Sequence, residues 1–251
     1  MTAFSANLGF LWTELPLPDA IRAAKAAGFQ AVECHWPYDT PPQEVAVALR
    51  ETGLPMLGLN TVRGQPGENG LAALPQRQQE ARDAIDQAIA YARAIGTPNV
   101  HVMAGFAEGA DARATFVTNL RYASTQAAPH GITILIEPLN RYDAPGYFLQ
   151  TSSQAAAILE DVARPNVKLM FDCYHLQIME GDLTRHLTER LPIIGHIQIA
   201  SVPDRSEPDC GEVNYPHIYA HLETLGYKTP LGAEYKPRTT TDAGLGWLSA
   251  C

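Results

Sequence analysis

Short apolar or alternating runs recur along the chain, separated by longer stretches with helical periodicity. The runs Phe4–Leu11, Ala31–His35, Met56–Asn60, Val100–Ala104, Thr133–Glu137, Val167–Asp172, Ile193–Ala200 and Leu231–Tyr235 predict strands, each bounded by Gly, Pro, Asn or charged residues. Between them, Asp19 to Ala27 predicts a helix that stops at Gly28. Arg77 to Ile95 predicts another, with Ile85, Ala88, Ile89 and Ala92 on one face and Gly96 after it. Asp111 to His130 ends at Gly131, and Tyr215 to Leu225 ends at Gly226. Ser153 to Val162 follows Thr151 and Ser152, which suit an N-cap.

Strands that alternate with helices imply parallel pairing through right-handed crossovers. Eight such units in 251 residues favour closure into a (β/α)8 barrel over an open sheet, read here as a single domain spanning residues 1–251. No G-x-G-x-x-G follows the first run, which removes the simplest dinucleotide-binding arrangement. The Gly- and Pro-rich segment Arg63–Pro75 is a candidate cover for a site at the barrel mouth, or else a surface excursion.

Composition narrows the function classes. The formal net charge is −9, from 18 basic and 27 acidic side chains. Such a surface repels phosphate backbones, so no nucleic-acid partner is expected, and an anionic substrate would need a local Arg or Lys cluster. No apolar run approaches the roughly 20 residues that span a bilayer, and the N-terminus has no signal-peptide pattern. The expectation is a cytoplasmic enzyme without a membrane partner, with room for a homo-oligomer. Cys34, Cys173, Cys210 and Cys251 form no C-x-x-C pair, and Cys34 and Cys173 sit in apolar runs as small buried side chains.

Chemistry in such barrels sits where the strands end. Four consecutive runs deliver polar groups there: Glu137, Asp172, Gln198 and Glu234, the last followed by Lys236. Any one carboxylate could merely cap the next helix, but four polar ends in succession point to a site. Three carboxylates in a poorly solvated volume repel one another and require a cation or shared protons. Three carboxylates and an amide suit a hard divalent ion such as Mg²⁺ or Mn²⁺ better than zinc. Carboxylates on the fifth and eighth strands can also flank a substrate, one removing a proton beside a carbonyl and the other delivering it to the neighbouring carbon. That is aldose–ketose isomerisation.

The phrases Ile136-Glu137-Pro138-Leu139-Asn140, Phe171-Asp172-Cys173-Tyr174-His175, Gly195-His196-Ile197-Gln198-Ile199-Ala200, Arg205-Ser206-Glu207-Pro208 with Gly211-Glu212-Val213-Asn214-Tyr215, and Gly232-Ala233-Glu234-Tyr235-Lys236-Pro237 resemble the hydroxypyruvate isomerase family. That family lies within the xylose-isomerase-like TIM barrels, and Phe4-Ser5-Ala6-Asn7-Leu8 and Pro37-Tyr38-Asp39 extend the likeness over the whole chain. The resemblance implies Glu137 and Glu234 as the proton-transfer pair, and Glu137, Asp172, Gln198 and Glu234 as metal ligands. It implies His175 and Arg205 as holders of the substrate's oxygens, and Glu207 as a carboxylate that fixes Arg205 or its loop. The implied substrate, hydroxypyruvate or tartronate semialdehyde, carries a carboxylate for which Arg205 and Lys236 are the candidate partners. Asn140, Arg141 and His101 are further candidates; His101 and His35 read equally well as core or rim histidines.

Two departures bear on substrate length. Ser201 stands where the family often has Asp, and Asp209-Cys210-Gly211 where it often has Gly-Thr-Gly. Asp209 after Pro208, with the Val-Pro-Asp-Arg run before it, looks closer to the related 2-oxo-tetronate isomerases, which act on a four-carbon acid. Alternatives with the same machinery are that isomerase and a ketose 3-epimerase. A metal-dependent endonuclease would want histidine-rich zinc ligation and a basic face, and a non-catalytic sugar-acid binder would tolerate loss of either glutamate.

Overall fold

All eight expected strands are present in a computed structural model, which describes residues 2–249. They are β1 (Phe4–Asn7), β2 (Ala31–Glu33), β3 (Leu59–Asn60), β4 (Asn99–His101), β5 (Thr133–Ile136), β6 (Val167–Asp172), β7 (Ile194–Ile199) and β8 (Leu231–Ala233). All pair in parallel in the order β2-β1-β8-β7-β6-β5-β4-β3. A parallel bridge between Val32 and Met56 joins the two outer strands, so the sheet forms a nearly closed barrel.

Several strands are shorter than the apolar runs that predict them. The first ends at Asn7 because the chain turns there, with the Leu11 amide donating back to the Asn7 carbonyl. The run from Met56 is strand only at Leu59 and Asn60, although the Leu57 amide still donates to the Val32 carbonyl and the Cys34 amide to the Gly58 carbonyl. Apolar side chains continue past the ladder in these places because loops at a barrel rim also pack inward.

Helices fill the crossovers: α1 (Leu17–Ala26), α2 (Pro42–Thr52), α3 (Gln78–Ile95), α4 (Gly109–Ala127), α5 (Ser152–Val162), α6 (Cys173–Met179), α7 (Leu183–Arg190), α8 (Tyr215–Thr224) and α9 (Thr241–Gly244). In α3 the buried positions Ala81, Ala84, Ile85, Ala88, Ile89 and Ala92 recur at the helical period, and Gly96 ends the helix in the left-handed region at φ 75°. The hydroxyl of Thr151 accepts from the Gln154 amide and starts α5 as expected. Helices α2, α6, α7 and α9 carry no signal that the sequence reading used. For α6 the reason is that the strand passes straight into the helix, with Asp172 serving as both strand end and N-cap.

Alternation along the strands divides the core. Ala6, Val32, Val100, Ile134, Ile136, Leu169, Phe171, Ile197, Ile199 and Ala233 join the helices in one buried cluster. Their neighbours Asn7, Glu33, His101, Leu135, Met170, His196 and Gln198 line the space inside the barrel. This period of two turns every polar strand residue among these inward, together with Leu135 and Met170, and the others toward the helices. Cys34 and Cys173 are buried free thiols, whereas Cys251 lies outside the described residues. Among the described residues, no helix is long and apolar enough to cross a membrane.

Candidate active site

The C-terminal ends of the strands open into a cleft of about 450 Å³ walled by His35, His101, Glu137, His175, Arg205, Glu234 and Lys236. At its floor, ligand atoms of Glu137, Asp172, His175 and Glu234 all lie within 4.8 Å of one another, and all four residues are buried. The carboxylates predicted at the strand ends therefore meet at one point. Asp172 serves two purposes there. Its Oδ1 accepts from the Tyr174 amide as the cap of α6, while Oδ2 faces the cluster with no hydrogen-bond donor.

Gln198 stands beside them in the ladder. It is in register with Asp172 on β6 and with Gly232 on β8, two residues before Glu234. Its side chain lines a small chamber under the cleft together with Asn7, Glu33, His101 and His196. Glu137 Oε1, Asp172 Oδ2 and Gln198 Oε1 are buried oxygens without a donor. Orphaned acceptors at such density are costly unless something positive satisfies them. A hard divalent cation fits that all-oxygen set.

His175 is placed differently. The backbone amide of Asn140 donates to its Nδ1 at 3.1 Å, and the Asn140 side-chain amide approaches the same atom at 2.8 Å. A nitrogen that accepts from a backbone N–H carries no proton, so the ring proton sits on Nε2. That atom lies 3.6 Å from Asp172 Oδ2 and 4.0 Å from Glu137 Oε1. His175 thus presents a donor to the cleft, suited to a substrate oxygen more than to a cation. Asn140 is fully buried behind it, outside the cleft wall, with Oδ1 taken by the amides of Tyr142 and Asp143.

Arg205 crosses the top of the cluster. Its Nη2 is 2.5 Å from Glu234 Oε2 and 3.7 Å from Asp172 Oδ2, and Nη1 is 3.4 Å from Asp143. The guanidinium lies between the Phe10 and Tyr174 rings, at 4.8 and 5.0 Å. Its backbone adopts φ 52°, a left-handed conformation for a non-glycine residue, held by hydrogen bonds to Ser201 and from Lys236. Lys236 itself is exposed at the mouth. Glu207, buried, binds the backbone amide and guanidinium of Arg238, so it anchors the segment after β8 and makes no contact with Arg205 among those described.

The electrostatics follow from burial and neighbours. Burial, then the charges of Glu234 and Asp172, push Glu137 well above the usual carboxylate range. Burial also lifts Asp172 to about 7, against the pull of Arg205. For Glu234 burial acts in the same direction, but Arg205 and the hydrogen bond from His35 outweigh it and hold the group well below its ordinary value. Burial drops His101 to about 3, which keeps it neutral.

Partners that the sequence reading did not assign come from the first strands. His35 Nε2 donates to Glu234 Oε1 at 2.8 Å, and Asn7 Nδ2 donates to the same oxygen at 3.0 Å. Asn7 and Glu33 end β1 and β2, but they lie inside the longer runs Phe4–Leu11 and Ala31–His35 that predict those strands, so the strand-end rule passes over them. The segment after Asn60 contributes Arg63 and Asn69 to the cleft wall. Its later part is fastened down, with Leu71, Ala72 and Ala73 buried and the amides of Ala72 and Ala73 donating to Met103 and Ala104.

Comparison with known proteins places this geometry. A family model described as xylose isomerase-like TIM barrel matches residues 21–251. The chain is 46% identical over 254 residues to the 2-oxo-tetronate isomerase of Cupriavidus necator, covering 99% of this chain and 98% of that protein. It is 40% identical over 255 residues to the hydroxypyruvate isomerase of Escherichia coli, with 99% and 98% covered. A solved structure from Brucella melitensis, described as an AP endonuclease of family 2, superposes with a TM-score of 0.96 at 43% identity, covering 100% of this chain and 99% of that one.

Proposed function

This chain belongs to the xylose isomerase-like TIM-barrel family, and from that premise we propose that it isomerises a small hydroxy-oxo acid through Glu137 and Glu234. The observation that carries the reading is the convergence of both glutamates with Asp172 and His175 at the floor of a cleft large enough for a short acid. The named activities of two relatives, hydroxypyruvate isomerase and 2-oxo-tetronate isomerase, are the same chemistry on acids of three and four carbons. In this reading the chain is one (β/α)8 barrel domain.

With hydroxypyruvate, one glutamate takes a proton from C3, and the C–H electrons form the C2–C3 double bond of an enediolate. The other glutamate returns a proton to C2, while the hydroxyl proton passes from O3 to O2. The product is tartronate semialdehyde, with no change in composition. His175 Nε2–H donates to a substrate oxygen, and the Asn140 amides hold its ring in that tautomer. Glu137, Asp172, Gln198 and Glu234 would hold a Mg²⁺ or Mn²⁺ ion. Such an ion supplies positive charge against the enediolate oxygens. The substrate carboxylate meets Arg205 and Lys236 at the mouth.

A DNA substrate, suggested by the name of the Brucella structure, fits less well. The net charge is −9, and the cleft floor presents three carboxylates where a phosphate would sit. The deciding experiment is turnover of hydroxypyruvate and 2-oxo-tetronate side by side, with and without added Mg²⁺ or Mn²⁺. Turnover of either acid is expected, and the preferred one sets the substrate length. Failure on both by a folded protein would turn the reading to a neutral ketose and leave Arg205 and Lys236 with structural roles.

A further inference from the structure

Below the cluster, the barrel holds polar side chains that the proton transfer leaves unused. Glu33 on β2, His196 and Gln198 on β7 are all buried to within a few per cent. Glu33 Oε2 lies 2.9 Å from His196 Nε2 and accepts from Gln198 Nε2 at 3.2 Å. The strand order β2-β1-β8-β7 puts two strands between these partners, so Glu33 reaches across the barrel interior. Gly232 on β8 leaves the space: a Cβ there would stand 2.1 Å from Glu33 Oε1 and 2.8 Å from Gln198 Cγ.

That contact decides which way an otherwise ambiguous amide faces. If Gln198 were turned over, its carbonyl oxygen would meet the carboxylate oxygen of Glu33, two acceptors without a proton between them. With the NH₂ end held by Glu33, Oε1 is left on the other side without a donor. It shares a ladder level with Asp172, whose Oδ2 is likewise without one. Asn7 uses the same device at Glu234: its Oδ1 is taken by the Gly9 amide, so Nδ2 faces the carboxylate.

We propose that Glu33 is a positioning residue for the cation site, fixing the Gln198 amide so that its oxygen faces the cluster. His196 steadies Glu33 from the adjacent position on β7. The proposal rests on Gln198 being a cation ligand, as read above. Partners that orient ligands in this way commonly change metal affinity by about 10–100-fold when removed.

The test is Mn²⁺ affinity of the folded protein, read by electron paramagnetic resonance of the free ion. Glu33→Asp keeps the charge but withdraws the acceptor from Gln198, and is expected to weaken Mn²⁺ by about 10–100-fold. Glu33→Gln keeps the reach without the charge, and its oxygen still accepts from Gln198, so affinity should fall by no more than about threefold. In a Gln198→Ala background, Glu33→Asp should cost nothing more. Should Glu33→Asp fail to fold, Glu33→Met, similar in length but without an oxygen to accept from Gln198, should show the same loss. The proposal is overturned if Glu33→Asp binds Mn²⁺ like the parent, if Glu33→Gln is the weaker of the two, or if the loss persists without Gln198. A parent protein that binds no Mn²⁺ removes the cation reading itself, and this proposal with it, whereas a binding parent with an unaffected Glu33→Asp removes only the proposal.

Discussion

The two halves of the barrel contribute unlike things to one site. Strands β5 to β8 end in Glu137, Asp172, Gln198 and Glu234, whose oxygens converge or stand in register at the floor of the cleft. Strands β1 to β4 and the turns after them supply Asn7, Glu33, His35 and His101: Asn7 and His35 donate to Glu234, Glu33 accepts from Gln198, and neutral His101 stands 3.5 Å from Glu137. The difference separates reaction from orientation. Groups that exchange protons sit on one side of the ring together with Arg205, which holds Glu234 below its ordinary value, and the neighbours that orient them reach over from the other. A barrel allows this because its first strand pairs with its last.

The largest effect tests whether the second half carries the chemistry. Glu234→Gln keeps the shape and the Asn7 and His35 neighbours but cannot take up a proton as a carboxylate does. Turnover of the preferred acid should fall by about 10²–10⁴-fold while the thermal unfolding midpoint stays near that of the parent. Near-normal turnover in this variant would sink the two-glutamate mechanism and erase the division between the halves.

How much of this was legible follows the same division. The strand-end carboxylates could be read because each closes an apolar run, as in Thr133 to Glu137, so a single charge stands out against its background. Asn7 and Glu33 end their strands too, but the apolar runs that predict those strands continue past them, to Leu11 and to His35. What makes them part of the site is contact across the ring, at sequence separations of 227 residues for Asn7 and Glu234 and 165 for Glu33 and Gln198. No local pattern encodes such a contact. Helix α6 was hidden for another reason: the strand-end Asp172 itself caps the Tyr174 amide, so no separate capping segment announces it. The resemblance implied Glu207 as a carboxylate that fixes Arg205 or its loop, and it binds Arg238 after β8 instead.

A smaller effect should come from the first half. Asn7→Ala removes one of the donors to Glu234 Oε1 and leaves His35 and Arg205 in place. A hydrogen bond to a charged group is worth about 1.5–3 kcal/mol, so a drop in kcat of about 10–100-fold is expected, with KM changed little. If Asn7→Ala were as damaging as Glu234→Gln, the orienting donors would be part of the reaction itself, and the separation of roles would be wrong.

The smallest effect asks which half meets the substrate's carboxylate. Arg205, one proposed partner of that carboxylate, is shared with Glu234, Asp172 and Asp143, so the second cation decides the side, and the cleft wall offers two: Lys236 after β8 and Arg63 after β3. Arg63 stacks on Trp36 at 4.9 Å and is tied to Asn69, so it is pre-positioned, whereas Lys236 is exposed and has no ion pair among those described. Because both are open to solvent, screening limits what either contributes to about 1 kcal/mol or less. Lys236→Ala is therefore expected to raise KM for the acid by about threefold to fivefold at low ionic strength, an effect that shrinks in added salt. Arg63→Ala should do less if the second half grips the substrate as well as transforming it. A larger and salt-sensitive rise in KM for Arg63→Ala would place the carboxylate under the first half, with the substrate spanning the cleft from Arg63 to the glutamates.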